Sequence, residues 1–197
     1  MGNGTQKYDP PGKGWFAIKG RQKGDRQLAE QMKGLEKLLP MARGATVLDL
    51  GCAEGLIALN LIDAGAGLAD GLESVESRVA TGREIAGDRP MRFHVADLER
   101  FHTDPPQGLL PEYDLVLLLS IAHKMPEPGR FIAAAAARCR KALAVRLPAP
   151  VIKDVRSRYV PCDVPRLLLE LGFGALWFAE GPRGEWVGVF GRQGRSE

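Results

Sequence analysis

Val47-Leu48-Asp49-Leu50-Gly51-Cys52-Ala53-Glu54-Gly55 joins two kinds of chain order. The apolar, partly β-branched run over residues 45–50 reads as a buried strand, and the aliphatic stretch over 54–64 reads as a helix. Between them, glycines at 51 and 55 let the backbone turn sharply and approach a ligand without a Cβ in the way. A helix that opens there presents unpaired N–H groups to polar ligand atoms. Asp49 and Glu54 bracket the loop. Two carboxylates disfavour a pyrophosphate and suit a ligand with cationic groups, such as an ammonium or a sulfonium.

The same alternation continues on both sides. Leu28, Met32, Leu35, Leu38 and Leu39 recur at helical spacing, which predicts a helix over 25–39 with Asp25 as cap and Pro40 as stop. Downstream, strands are predicted over 67–73, 91–95, 114–120 and 142–147, and helices over 75–86, 130–141 and 164–171. Residues 99–112 and 148–162 read as irregular. The tail, residues 174–180 and 186–191 around Pro182-Arg183-Gly184, reads as an antiparallel hairpin. Strands and helices alternating at this spacing imply parallel strands joined by right-handed crossovers. The expected fold is a doubly wound α/β domain: seven strands, mostly parallel, an antiparallel C-terminal hairpin, and helices on both faces. One such domain is expected over residues 25–197, preceded by a basic arm over 1–24 that reads as a loop.

The 197 residues are 45% hydrophobic and 26% charged, which excludes global disorder. No run approaches the roughly 20 apolar residues of a membrane span, and the first residues lack the apolar core of a signal peptide. Cys52, Cys139 and Cys162 are odd in number and far apart, against a disulfide framework or a structural zinc. A reducing, cytoplasmic setting is the expectation. The net charge of +3 hides a division. Residues 1–43 balance at +5, residues 44–130 at −7 and residues 131–197 at +5.

VLDLGCAEG resembles motif I of the class I S-adenosylmethionine-dependent methyltransferases, usually (V/L)LDxGxGxG. The resemblance spans residues 44–191 and implies the Rossmann-like fold with S-adenosylmethionine as cofactor. It implies cofactor contacts for Asp49, Gly51, Ala53 and Gly55. Glu73 matches the acidic residue that holds the ribose hydroxyls, Asp97 the one that meets the adenine amino group, and Leu98 an adenine wall. Residues 113–120, ending at Ser120, match the strand that borders the transferable methyl. Two departures stand out: Ala53 replaces the middle glycine, and Asp70 sits where the family has an apolar residue.

A sulfonium is already activated, so aligning an acceptor in a dry site supplies much of the acceleration, and a base is needed only if the acceptor must lose a proton. His123, just past residues 114–120, is the candidate base; equally it reads as a loop histidine that caps a helix or contacts the cofactor. His94 reads as structural, and Cys52 as a packing residue. The Asn/Asp-Pro-Pro-aromatic motif of amino-methylating enzymes is absent. Ser120-Ile121-Ala122-His123-Lys124-Met125-Pro126 resembles instead a segment of methyltransferases acting on small molecules or on tRNA wobble uridines. Trp15 and Phe16 among the cations of residues 13–26, joined by Arg146, Lys153, Arg156 and Arg158, suit an anionic acceptor such as RNA. A small-molecule acceptor fits as well. The competing readings are a non-catalytic methyltransferase-like scaffold and a nicotinamide-dependent oxidoreductase. The latter lacks the third glycine of GxGxxG and a Tyr-x-x-x-Lys pair.

Overall fold

A computed structural model describes residues 13–148 and 163–194. Val47 and Leu48 lean to opposite faces of their strand, β3 (Thr46–Leu50), and that alternation sets up two apolar layers. Strands β4 (Leu68–Glu73) and β5 (Met91–Val95) continue the sheet to one side of β3. On the other side lie β6 (Tyr113–Leu119), β7 (Cys139–Leu147) and the hairpin of β8 (Phe173–Glu180) and β9 (Trp186–Arg192). The order is β5-β4-β3-β6-β7-β9-β8, parallel through β7, with β9 antiparallel to both β7 and β8. This is the expected seven-stranded, doubly wound sheet.

Helices α3 (Leu56–Asp63) and α4 (Glu76–Ala86) cover one face, against Val47, Leu115 and Leu117. Helices α5 (Pro128–Ala137) and α6 (Asp163–Glu170) cover the other, against Leu48, Val116 and Leu118. β6 is apolar on both faces because both are covered. Strand order reverses at β3, so a crevice opens beyond the carboxyl ends of β3 and β6, where open α/β sheets bind ligands.

Three expectations are corrected. The helix over 25–39 is two short pieces, α1 (Leu28–Gln31) and α2 (Leu38–Met41), separated by turns that include Gly34 at φ 83°. Pro40 lies inside α2 rather than ending a helix, and Gln27, not Asp25, is the cap residue of α1. The helix over 130–141 ends at Ala137. The chain beyond it is drawn into β7 by pairing with Tyr113 and by Arg140 and Lys141, which meet Asp114 at 2.7 and 3.4 Å. The arm contains a ribbon, β1 (Lys13–Phe16) and β2 (Lys23–Arg26), paired in parallel through a tight turn at residues 18–22.

Asp70, polar where an apolar residue was expected, is fully buried and fully employed. It accepts hydrogen bonds from Arg92 Nε at 2.8 Å and Tyr113 OH at 2.7 Å, and pairs with His94 Nε2 at 2.8 Å. Burial acts to raise its pKa, but the Arg92, Tyr113 and His94 contacts outweigh it and hold Asp70 below the ordinary 3.8. His94 is therefore structural. Asp70→Ala should cost about 3 kcal/mol in urea unfolding at pH 7, the low end for a broken buried pair because Arg92 keeps some solvent access. With a depressed folded pKa, the contribution is complete above pH 4 and disappears only as pH falls through the folded value. A loss below about 1 kcal/mol would show that the network is idle.

Candidate active site

The loop after β3 turns by left-handed backbone at three positions: Gly51 at φ 83°, Ala53 at φ 51° and Gly55 at φ 75°. An L-residue there costs about 1–2 kcal/mol. Ala53 is held in this conformation by its N–H, which donates to Glu73 Oε2 at 3.1 Å. Ser120, which ends β6, and Arg183, between β8 and β9, are the other non-glycine residues at positive φ among the described residues, both at 56°. All three stand at the carboxyl edge of β3, β6 and β7.

Asp49, next to last in β3, is only 2% exposed. Burial pushes its pKa from 3.8 to about 7; the Arg146 charge opposes that rise and Glu73 adds to it. Glu73, at the end of β4, is buried rather than a solvated surface residue. Its Oε1 accepts from Ser74 N at 2.8 Å, Ser74 Oγ at 3.2 Å and Val75 N at 3.0 Å. With Ala53 N on Oε2, the carboxylate ties the motif loop to the start of α4. Asp97 is exposed beyond β5 and caps a short turn by accepting from Glu99 N at 3.0 Å. Leu98 is buried in the core between the sheet and α5. Cys52 is buried, and burial first, then Asp49 and Glu73, push its thiol pKa well up, so it stays a protonated packing residue. Cys162 lies outside the described residues.

Glu54 overturns the expectation that it faces a cationic ligand. Its side chain is wholly buried, and it accepts from Trp15 N at 2.8 Å, Phe16 N at 3.1 Å and Gln22 Nε2 at 3.0 Å. It is a clamp for the ribbon. A Cβ at Gly24 would stand 2.1 Å from the Phe16 carbonyl carbon, which is why the strands can close this tightly. The aromatic pair is split by strand alternation. Phe16 is buried in the core and cannot stack on a base. Trp15 roofs the crevice, its ring approached by Arg26 at 5.1 Å, Lys124 at 5.5 Å and Arg78 at 5.9 Å.

Beneath Trp15 is a cavity of about 170 Å³, lined also by Arg26, Ser120, His123, Lys124 and Glu185. Ser120 and His123 are thus brought to the same space, next to the motif loop through the side chain of Ile121, which packs on Gly51. Arg146 is a correction: expected among surface cations, it is 1% exposed. It donates to Gln31 Oε1 at 2.8 Å and to the Gln31 carbonyl, with Glu185 Oε2 3.6 Å from its Nε. Lys153, Arg156 and Arg158 lie outside the described residues. Sequence reasoning missed Glu185, and nothing in its local pattern distinguishes it from a hairpin-turn glutamate.

No family model matches the sequence, and no curated protein matches it either. Solved structures do share the fold. The magnesium protoporphyrin IX methyltransferase of Synechocystis, with bound SAH, aligns at 19% identity and TM-score 0.65 over 80% of this chain and 79% of that one. A methyltransferase from Mesorhizobium loti aligns at 17% identity and TM-score 0.67, covering 80% and 95%. The cyclase SpnF aligns at 16% identity and TM-score 0.61, covering 80% and 79%. The chain thus has the class I methyltransferase fold, and that fold also carries other chemistry.

Glu54→Ala would leave two buried backbone N–H groups unpaired, at about 1–3 kcal/mol each. Amide exchange at Trp15 and Phe16 should lose its protection while β3 and β6 amides keep theirs. Unchanged protection at both positions would show that the ribbon is held by Phe16 packing alone.

Proposed function

We propose that this protein transfers a methyl group from S-adenosylmethionine to a small-molecule acceptor. The observation that carries the reading is the meeting of two sites at one edge: a left-handed motif loop beside a buried carboxylate, and a ring-sized cavity in front of Ser120 and His123. The neighbour from Synechocystis, solved with bound SAH and in a second structure with bound SAM, supports the choice of cofactor.

The residues fit that cofactor chemically. Asp49 has a carboxylate whose burial is offset when an ammonium arrives. Gly51, Ala53 and Gly55 let the backbone come close. Glu73 Oε1 is saturated by three donors, whereas Oε2 accepts from Ala53 N and has the Arg78 guanidinium 3.7 Å away, so this oxygen is the one that can take a ribose hydroxyl without releasing the loop. Asp97 is exposed and open to an adenine amino group, and Leu98 supports that end from within the core. The cofactor supplies a methyl group already activated on a sulfonium. The protein contributes alignment and exclusion of water: Trp15 roofs the cavity, Ser120 borders it, and His123 stands where it can hold a proton released by an acceptor.

An RNA acceptor is favoured by one observation, the exposed Lys19, Arg21 and Lys23 on the outer side of the ribbon. Phosphate contacts through them would give affinity that falls steeply with salt, whereas a small molecule in the cavity shows little such dependence. No helix among the described residues is long and apolar enough to cross a membrane.

Binding of S-adenosylmethionine, measured by calorimetry, tests the cofactor. The ion pair needs Asp49 ionised and the ammonium protonated, so affinity should be greatest between about pH 7 and about pH 8 and weaken toward tenfold per unit below that range. Asp49→Asn should abolish that pH step and weaken binding at pH 8 by about tenfold or more. No binding by the wild type at any pH would overturn the reading. Binding with transfer to RNA and to no small molecule would reassign the acceptor.

A further inference from the structure

Glu185 is 8% exposed and lines the cavity, yet its Oε2 is buried and accepts no hydrogen bond. Arg146 Nε is 3.6 Å away, an ion-pair distance and too long for a hydrogen bond. The backbone that carries this carboxylate is fixed. Gly181 N donates to the Glu185 carbonyl at 2.7 Å and Glu185 N to the Pro182 carbonyl at 3.1 Å, closing a turn that holds Arg183 in the left-handed region. Behind it, Arg146 is anchored on Gln31 of α1. Across the cavity, Arg26 Nη1 is likewise buried and makes no hydrogen bond. A buried polar atom left unsatisfied is costly, and two residues of opposite charge that each carry one and line the same cavity point to a partner with both kinds of group.

We propose that Glu185 and Arg26 are the acceptor-recognition pair: Glu185 accepts a hydrogen bond from an N–H or O–H of a single-ring acceptor, and Arg26 holds an anionic group on the same molecule. The word acceptor rests on the methyl-transfer reading; the binding site does not. Its size suits a single ring: a cavity of roughly 150 Å³ takes one benzene, and this partly open one has about 170 Å³. Its charge sets the selectivity. Glu185 repels a molecule that is only anionic, and Arg26 with Lys124 repels one that is only cationic. Burial raises the Glu185 pKa, while Arg146, Arg26, Arg183 and Lys124 all act to keep it ionised.

The probes are para-aminobenzoate, which has both groups, benzoate, which lacks the donor, and aniline, which lacks the anion. Their binding to the full chain is measured by calorimetry, with and without S-adenosylhomocysteine. Wild type should prefer para-aminobenzoate. Glu185→Gln, nearly isosteric, should weaken para-aminobenzoate and, by removing the like charge, let benzoate bind as well as or better than it binds the wild type, so that the wild-type preference is lost or reversed. Arg26→Gln should weaken benzoate and para-aminobenzoate and spare aniline. An equal loss for all three probes, no binding of any at millimolar concentration, or preference for a nucleoside monophosphate over all three would overturn the proposal. If the probe pattern holds while S-adenosylmethionine fails to bind the wild type, the recognition pair stands and the methyl-transfer reading falls; the opposite pattern does the reverse.

Discussion

A guanidinium is buried inside this sheet, and its need for partners organises the surroundings. Arg146 comes from β7, two residues beyond the position level with Asp49, with Ala144 paired to Leu117 and Leu117 to Asp49. A charge taken out of water at 1% exposure is tolerated only where dipoles and counter-charges meet it. Gln31 provides the dipoles from α1, Glu185 a counter-charge from the turn before β9, and Asp49 a second from β3. Burial lowers the Arg146 pKa, and Glu185 and Asp49 oppose that. Three separate regions of chain are thereby tied to one edge of the sheet, and that edge is the one where the strand order reverses.

The carboxylates at the same edge divide the work by environment. Asp49 is left with a pKa raised by burial to about 7. Glu73 is saturated on one oxygen by backbone and Ser74 and accepts from Ala53 N on the other, so it builds the loop. Glu54 is wholly taken up by the ribbon. The negative balance of residues 44–130 thus mixes three roles, together with a fourth in Asp70, whose ion pair staples β4 to β5. Regional charge gave no hint of which carboxylates are taken up by donors within the protein.

Fold class was legible because the sheet is covered on both faces, so its strands appear as short aliphatic runs bounded by turn residues. Residues 91–95 and the hairpin match the expected positions closely. The failures have local causes. Gly34 interrupts a periodic pattern that looks like one helix. Asp114, through its ion pairs, draws Arg140 and Lys141 into a strand where alanine-rich sequence favours helix. The ribbon was invisible because each of its strands is only four residues long and is held by a glutamate about forty positions away.

By itself, the sequence determined the strand–loop–helix unit at residues 47–55, the alternation around it and the residue types offered to a ligand, since these depend on local backbone preference and apolar period. Only the tertiary structure decided the state of each charge. Whether a carboxylate is a clamp, a staple or an open acceptor depends on which distant donors reach it and how much water is left. That is why Glu54 and Glu185, two glutamates beside glycines in turns, ended as the anchor of a ribbon and the wall of a cavity.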